Sequence, residues 1–277
     1  MKNFGEEKKS YSRDSRYKTK GLLGLLLILV GVFLSGMGWG QSSWPKLDTV
    51  WRQSESVGNG APVGKVSNQV YTITEAALKT AIAEKEKILS ELIVLPDNDT
   101  YDKLEANAMI QRILNIDVEL LKAINDGEMK IYLWDKPITT IPSLSYLKGV
   151  TPRGWEGTGK TWDDIPGVSE KITVARIGYS NPGEFHGSIN LELHEIGHSI
   201  DFFAGERPFS ESQAFRSIWK KESIQLFPDS QYTQGYIEEY FAETFAMYYL
   251  NKESRELLKE IAPETHLFMG QLKDKVK

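Results

Sequence analysis

The run Gly187 to Ala204, GSINLELHEIGHSIDFFA, constrains this chain more than any other stretch. It holds His194-Glu195-Ile196-Gly197-His198, an H-E-x-x-H pattern in an apolar, helix-forming context. On a helix, residues four apart share a face, so His194 and His198 can present two imidazoles to one metal ion. Glu195 lies on the adjoining surface and can reach a metal-bound water. Zinc held by three protein ligands keeps a fourth position for water and lowers that water's pKa to about 7. The fold must therefore bury this helix and bring a third ligand to it from another element.

Composition narrows that ligand. The chain has no cysteine, which excludes disulfides, thiol catalysis and cysteine-based metal sites. It has only four His, and His186 and His266, outside the motif, read as ordinary surface residues. A carboxylate is thus the expected third ligand. The best source is Tyr236 to Tyr249, YIEEYFAETFAMYY, which reads as an apolar helix with Glu239 and Glu243 four apart on one face. Carboxylates on the buried side of such a helix are costly unless paired or metal-bound. Spacing alone does not choose between Glu238, Glu239 and Glu243. Asp201, about one turn after His198, could accept a hydrogen bond from a ligand imidazole, the contact that fixes a tautomer; a plain polar helix position is the competing reading.

The N-terminus sets the compartment. Residues 1–20 are polar and basic, and Gly21 to Gly40 runs 20 residues without a charge. As a helix that run is about 30 Å long, enough to span a bilayer, and its positive flank stays inside. It reads as a signal peptide cut near Gln41, with an uncleaved membrane anchor as the alternative. Either way the remainder lies outside the cell. The first 40 residues carry seven Lys/Arg and three Asp/Glu, so the net charge of −5 leaves about −9 on the rest. An acidic body argues against nucleic acid as a partner. Residues 41–70, rich in Ser, Gly and Gln, read as a linker, and 71–277 as one catalytic domain, expected to be a monomer.

Within that domain the pattern is helices, strands, then helices, hence α+β. A first helix starts at Thr72 with a Thr72/Glu75 capping box and a stripe through Ala76, Leu78, Ile82, Ile88, Leu89 and Leu92. A second runs from about Tyr101 to Gly127, with Leu104 among its buried residues. Met129–Trp134 and Lys171–Tyr179 read as strands, and Leu147–Val168 as loop. Further helices are expected at about 211–226, 236–251, 253–261 and 264–275.

These residues resemble a known family. HEIGHSID followed by EEYFAETFAMYY is similar to the catalytic domain of anthrax lethal factor, and more closely to the secreted Pro-Pro endopeptidases. YLKGVTPRGWEGTGKTWDDIP, ARIGYSN, INLELHE and YDKLEANAMIQRILNID carry the resemblance over about residues 88–277. It implies a zincin-like fold: N-terminal helices and a small mixed sheet packed on a helical half with the motif helix and a Glu-bearing helix. It implies one zinc ion per chain, held by His194, His198 and Glu239, with Glu195 as general base. It also implies Tyr232 as oxyanion donor, Glu243 as a partner behind the ligands, and Trp155, Arg153 and Glu238 on the substrate side. Arg153 stands where the family pattern has Lys, and Phe202 where it has His.

The expected activity is zinc-dependent hydrolysis of Pro-Pro bonds in extracellular proteins or peptides. Proline has no N–H and a fixed φ, so a cleft for it can rely on ring stacking, for which Trp155 and Trp162 are suited; packing of the loop is the competing role for Trp162. Two alternatives stay open: a lethal factor-like peptidase with another cleavage preference, and a non-catalytic surface binding module.

Overall fold

The computed structural model describes residues 75–276 apart from Gly154 and Glu184. The basic tail, apolar segment, linker and Thr72 cap lie outside the described residues. Helix α1 spans Glu75–Leu92 and leads directly into the short strand β1, Ile93–Val94. Its buried side is Ile88, Leu89 and Leu92, whereas Ile82, expected in that stripe, is 46% exposed.

The single helix expected over 101–127 is two. Helix α2, Lys103–Ile113, is capped by the Asp102 carboxylate, which accepts the Leu104 and Glu105 amides, a bond set worth about 1 kcal/mol. Helix α3, Val118–Asp126, follows with Gly127 as its C-cap. The break at Leu114–Asp117 re-phases the apolar stripe. Ala106, Met109 and Ile113 face inward on α2, and Leu104 is left 85% exposed.

Strand β2, Ile131–Trp134, and strand β4, Thr173–Arg176, match the two strands read from alternation. Strand β3, Gly167–Ser169, comes from the end of what reads as loop. The sheet order is β1-β2-β4-β3, parallel except for the antiparallel pair β3–β4. β3 is thus an edge strand.

The sheet separates two apolar regions. On one face Ile131, Leu133 and Ala175 join the main core with α1–α3 and the C-terminal helices. On the other, Val168 and Val174 pack under Ile138, Ile141, Leu144, Leu147, Ile165, Trp155 and Trp162. Both Trp are 1% exposed. Each large apolar side chain removed from water contributes roughly 1.5–3 kcal/mol, so the loop layer over 134–166 is a second core rather than a flexible cover.

The C-terminal half is helical: α4, Leu191–Phe203; α5, Gln213–Leu226; α6, Gln231–Gly235; α7, Ile237–Leu250; α8, Lys252–Ile261; α9, Pro263–Gly270. Helix α4 lies between the sheet and α7. Gly197 permits this, because a Cβ there would meet Ala242 Cα at 2.9 Å and Ala242 O at 3.1 Å. On its other side Ser199 bonds the hydroxyls of Ser169, at 2.9 Å, and Thr173. The architecture is the expected α+β arrangement of a small mixed sheet against a helical half. No helix among the described residues is long and apolar enough to cross a membrane.

Candidate metal centre and active site

The motif helix α4 is capped by Asn190, whose side chain accepts the Leu193 amide at 3.0 Å. From this helix His194 and His198 project toward α7, where Glu239 sits in the first turn. His194 Nε2 and His198 Nε2 are 3.2 Å apart. Glu239 Oε2 is 3.3 Å from the first and 3.4 Å from the second. All three side chains are buried, at 2%, 5% and 1% exposure. Among the described residues these form the group able to hold a metal ion.

The donor spacing fits such an ion. A tetrahedral cation bound at about 2.0–2.1 Å separates its ligand atoms by roughly 3.3–3.4 Å, and the observed separations of 3.2, 3.3 and 3.4 Å lie at or just below that. The bonding fits as well: Glu239 Oε2 is buried with no hydrogen-bond partner. An acceptor left open in the interior is costly unless something positive occupies it. Without a cation, protons take that place. Burial opposes a charged His194, but the Glu239 and Glu243 carboxylates beside it outweigh burial and raise its pKa. Burial likewise works to raise Glu239, and the two imidazoles outweigh it and hold it well below the usual carboxylate range.

Glu243, one turn beyond Glu239, accepts from His194 Nδ1 at 2.9 Å and from the Ile189 amide at 2.8 Å. The first contact leaves Nε2 as the free donor atom toward the metal position. The second ties the entry to α4 to α7. Spacing could not rank the three glutamates; helix rotation does. Glu238, about 100° around from Glu239, turns instead toward Arg153, whose Nη2 lies 3.9 Å from Glu238 Oε1.

Glu195 is 0% exposed, and neither of its carboxylate oxygens has a hydrogen-bond partner. Burial pushes its pKa up to about 8. Strand β3 presses against it: a Cβ on Gly167 would lie 2.5 Å from Glu195 Oε1. Tyr232 comes from the five-residue helix α6, whose N-cap Ser230 accepts the Thr233 amide. Its phenol bonds the Glu239 carboxylate and, with burial the larger cause, its pKa is raised well above the ordinary value. The structure therefore gathers His194, Glu195, His198, Tyr232, Glu239 and Glu243 in one place.

The other expected residues are distributed differently. The Arg153 guanidinium stacks over the Tyr236 ring at 4.4 Å, which holds the loop carrying it against the α6–α7 junction. Trp155 lies inside the second core, with Nε1 buried and unpartnered. Trp162 packs there too, which is the loop-packing role. Asp201 is 0% exposed and accepts the Ser210 amide at 2.7 Å, so it anchors the end of α4 to the following loop. His186, expected at the surface, is only 3% exposed. Its Nε2 lies 2.6 Å from the Tyr179 carbonyl, because the turn at 181–183 folds back under the chain. Gly167 and Gly197 carried no motif signal, and only the packing reveals why they are glycine.

A helix-borne H-E-x-x-H completed by a glutamate from a second helix defines a metallopeptidase domain. The family model described as anthrax toxin lethal factor, N- and C-terminal domain, matches residues 80–272. A Pro-Pro endopeptidase of Clostridioides difficile (strain 630) is 44% identical over 200 residues, 72% of this chain and 90% of that protein. One of Paenibacillus alvei is 43% identical over 192 residues, 69% of this chain and 88% of that one. The solved structure of the Pro-Pro endopeptidase from Paenibacillus alvei superimposes with a TM-score of 0.64 at 44% identity, covering 67% of this chain and 99% of that one. The chain belongs to the Pro-Pro endopeptidase family.

Proposed function

We propose that this protein is an exported zinc endopeptidase that hydrolyses Pro-Pro bonds in extracellular proteins or peptides. The observation that carries it is the three-donor set at ligand spacing with a buried, unpartnered Glu195 beside it. His194, His198 and Glu239 would hold a zinc ion, which would supply Lewis acidity and a water of lowered pKa. Glu195 takes the proton from the attacking water and returns it to the leaving nitrogen. That nitrogen is the secondary amine of a proline, which departs only once protonated, so the proton return is part of the bond-breaking step. Tyr232 donates its phenolic proton toward the developing oxyanion. Glu243 holds His194 in the tautomer that leaves Nε2 free. Arg153 and Glu238 flank the substrate side, and Trp155 supports the loop that closes it.

Export rests on the basic tail and the apolar run at 21–40. The acidic body and the family's peptide-cleaving relatives favour a polypeptide partner over nucleic acid. A second reading, a peptidase of this type with another bond preference, is favoured by one observation. Trp155 and Trp162 have no exposed ring face to stack on a substrate proline.

A library of peptides with X-Pro-Pro-X cores, incubated with and without a chelator, decides between them. Chelator-sensitive cleavage between the two prolines is expected. Cleavage confined to non-proline bonds would leave the second reading. Binding without turnover, in a protein that holds no zinc, would point to a non-catalytic binding module.

A further inference from the structure

Behind the metal helix lies a polar cluster that the proposed chemistry does not use. Its centre is Arg112, in the last turn of α2. Arg112 Nε donates to Glu192 Oε1 at 2.5 Å, and Nη2 donates to Glu105 Oε1 and Ser180 Oγ, both at 2.8 Å. Ser180 Oγ in turn donates a hydrogen bond to Glu105 Oε1 at 2.9 Å. The Ser180 carbonyl accepts the Leu191 amide at 3.0 Å and Asn190 Nδ2 at 3.4 Å. Asn190 Nδ2 also donates to Glu192 Oε1 at 3.0 Å while its oxygen caps Leu193. These bonds converge on residues 190–193, the first turn of α4, immediately before His194.

Stability does not account for this cluster. Glu192 is 0% exposed, and a buried ion pair is often no more stabilising than apolar side chains of the same shape. What directional bonds add is a fixed rotation and advance of the helix they hold. The close approach at Gly197 sets how near α4 lies to α7. How far α4 is turned or slid along its axis is set by directional bonds: Ser199 to the sheet, the Ile189 amide to Glu243, and this cluster at the first turn. Those two freedoms decide whether two imidazoles on α4 meet a carboxylate on α7 within the few tenths of an ångström a tetrahedral ion tolerates.

We infer that Arg112 and Glu192 are positioning residues for the metal centre, clamping the entry turn of α4 to α2 and Ser180 so that His194 and His198 arrive at Glu239 with ligand spacing. The inference rests on reading those three residues as metal ligands. Neither Arg112 nor Glu192 touches the metal position or the substrate side.

The test is a double variant, Arg112→Met with Glu192→Leu, which removes the buried charge together with its cation; Glu105, 31% exposed, keeps the Ser180 hydroxyl and water as partners. Zinc affinity is read by competition with a chromophoric chelator, and the metal-free melting temperature by calorimetry. The expected result is a melting temperature unchanged or raised, with zinc bound about tenfold more weakly or worse. Zinc affinity equal to that of the natural chain overturns the inference. Weaker zinc binding together with a lowered metal-free melting temperature also overturns it, because the cluster is then only a stability element. If the natural chain itself binds no zinc in the same competition, the metal reading fails and takes the inference with it, so the two failures are told apart.

Discussion

Two helix junctions bury a glutamate and use it in opposite ways. Where α5 meets α9, Glu222 is 1% exposed and filled. It accepts the Glu264 amide at 3.0 Å, the Thr265 amide at 2.8 Å and the Thr265 hydroxyl at 2.7 Å. Helix α9 has no capping side chain of its own, since Ala262 is its N-cap residue; Glu222 serves from across the junction. Where α4 meets the sheet and α7, Glu195 is 0% exposed and empty, with both oxygens unpartnered. The residue type and burial are the same, and only the bonding differs. A buried carboxylate with its acceptor capacity filled is a staple. One with both oxygens open, beside a three-donor set, fits the general-base role proposed for it.

The sharpest way to break this comparison is to remove each carboxylate and see whether stability or turnover suffers. Glu195→Gln is expected to lower the cleavage rate by about 10²–10⁴, the usual contribution of a general base, while zinc stays bound. Its metal-free form should melt no lower than the natural chain at pH 7. Burial raises the folded pKa of Glu195 to about 8. Ionisation of the unfolded chain above its ordinary pKa therefore costs stability as pH rises, and glutamine removes that cost. A natural cleavage rate, or a clear fall in melting temperature, breaks the assignment.

Glu222→Ala should do the reverse. Two buried donors of Thr265 and the part-buried Glu264 amide lose their acceptor, at a cost of roughly 1–3 kcal/mol, or several degrees of melting temperature. The cleavage rate per folded molecule at 25 °C should be unchanged. A lowered kcat with the melting temperature intact would erase the distinction between the two junctions.

What the sequence disclosed follows the same division. The motif helix and the Glu-bearing helix were legible because an H-E-x-x-H pattern and a 3.6-residue apolar period are local. The choice of Glu239 over Glu238 and Glu243 is a matter of how α7 is rotated against α4, which spacing does not contain. β1 and β3, two and three residues long, are too short to alternate. The split between α2 and α3 was signalled by Asp117, an N-cap residue type inside an apparently continuous stripe. The helix of Tyr232 was signalled only by Ser230, three residues before the amide it accepts. The burial of both Trp had no local sign, because it depends on the loop folding back onto the far face of the sheet.

His186 gives the smallest effect and a test of the same idea in the opposite charge. It is a buried base with one nitrogen engaged, Nε2 donating to the Tyr179 carbonyl, and one open, Nδ1 having no partner. Burial lowers its pKa from 6.5 to about 4. The unfolded chain takes up a proton as pH falls through 6.5, whereas the folded chain refuses it until about 4. Stability is therefore full above the upper value, falls between the two, and is level below. The loss across that window is on the order of 3 kcal/mol, from two and a half pKa units. His186→Gln keeps a donor for the Tyr179 carbonyl and does not titrate. At neutral pH it should cost about 1 kcal/mol or less, and near pH 4 it should be the more stable of the two. Denaturant melts of both metal-free proteins from pH 7 to 4 measure this, and the difference between the two curves isolates the contribution of residue 186. Parallel curves would mean that an open nitrogen in the interior carries no penalty here. The reasoning that sets Glu195 apart from Glu222 would then lose its footing, because it rests on the same cost of leaving a buried polar group unpaired.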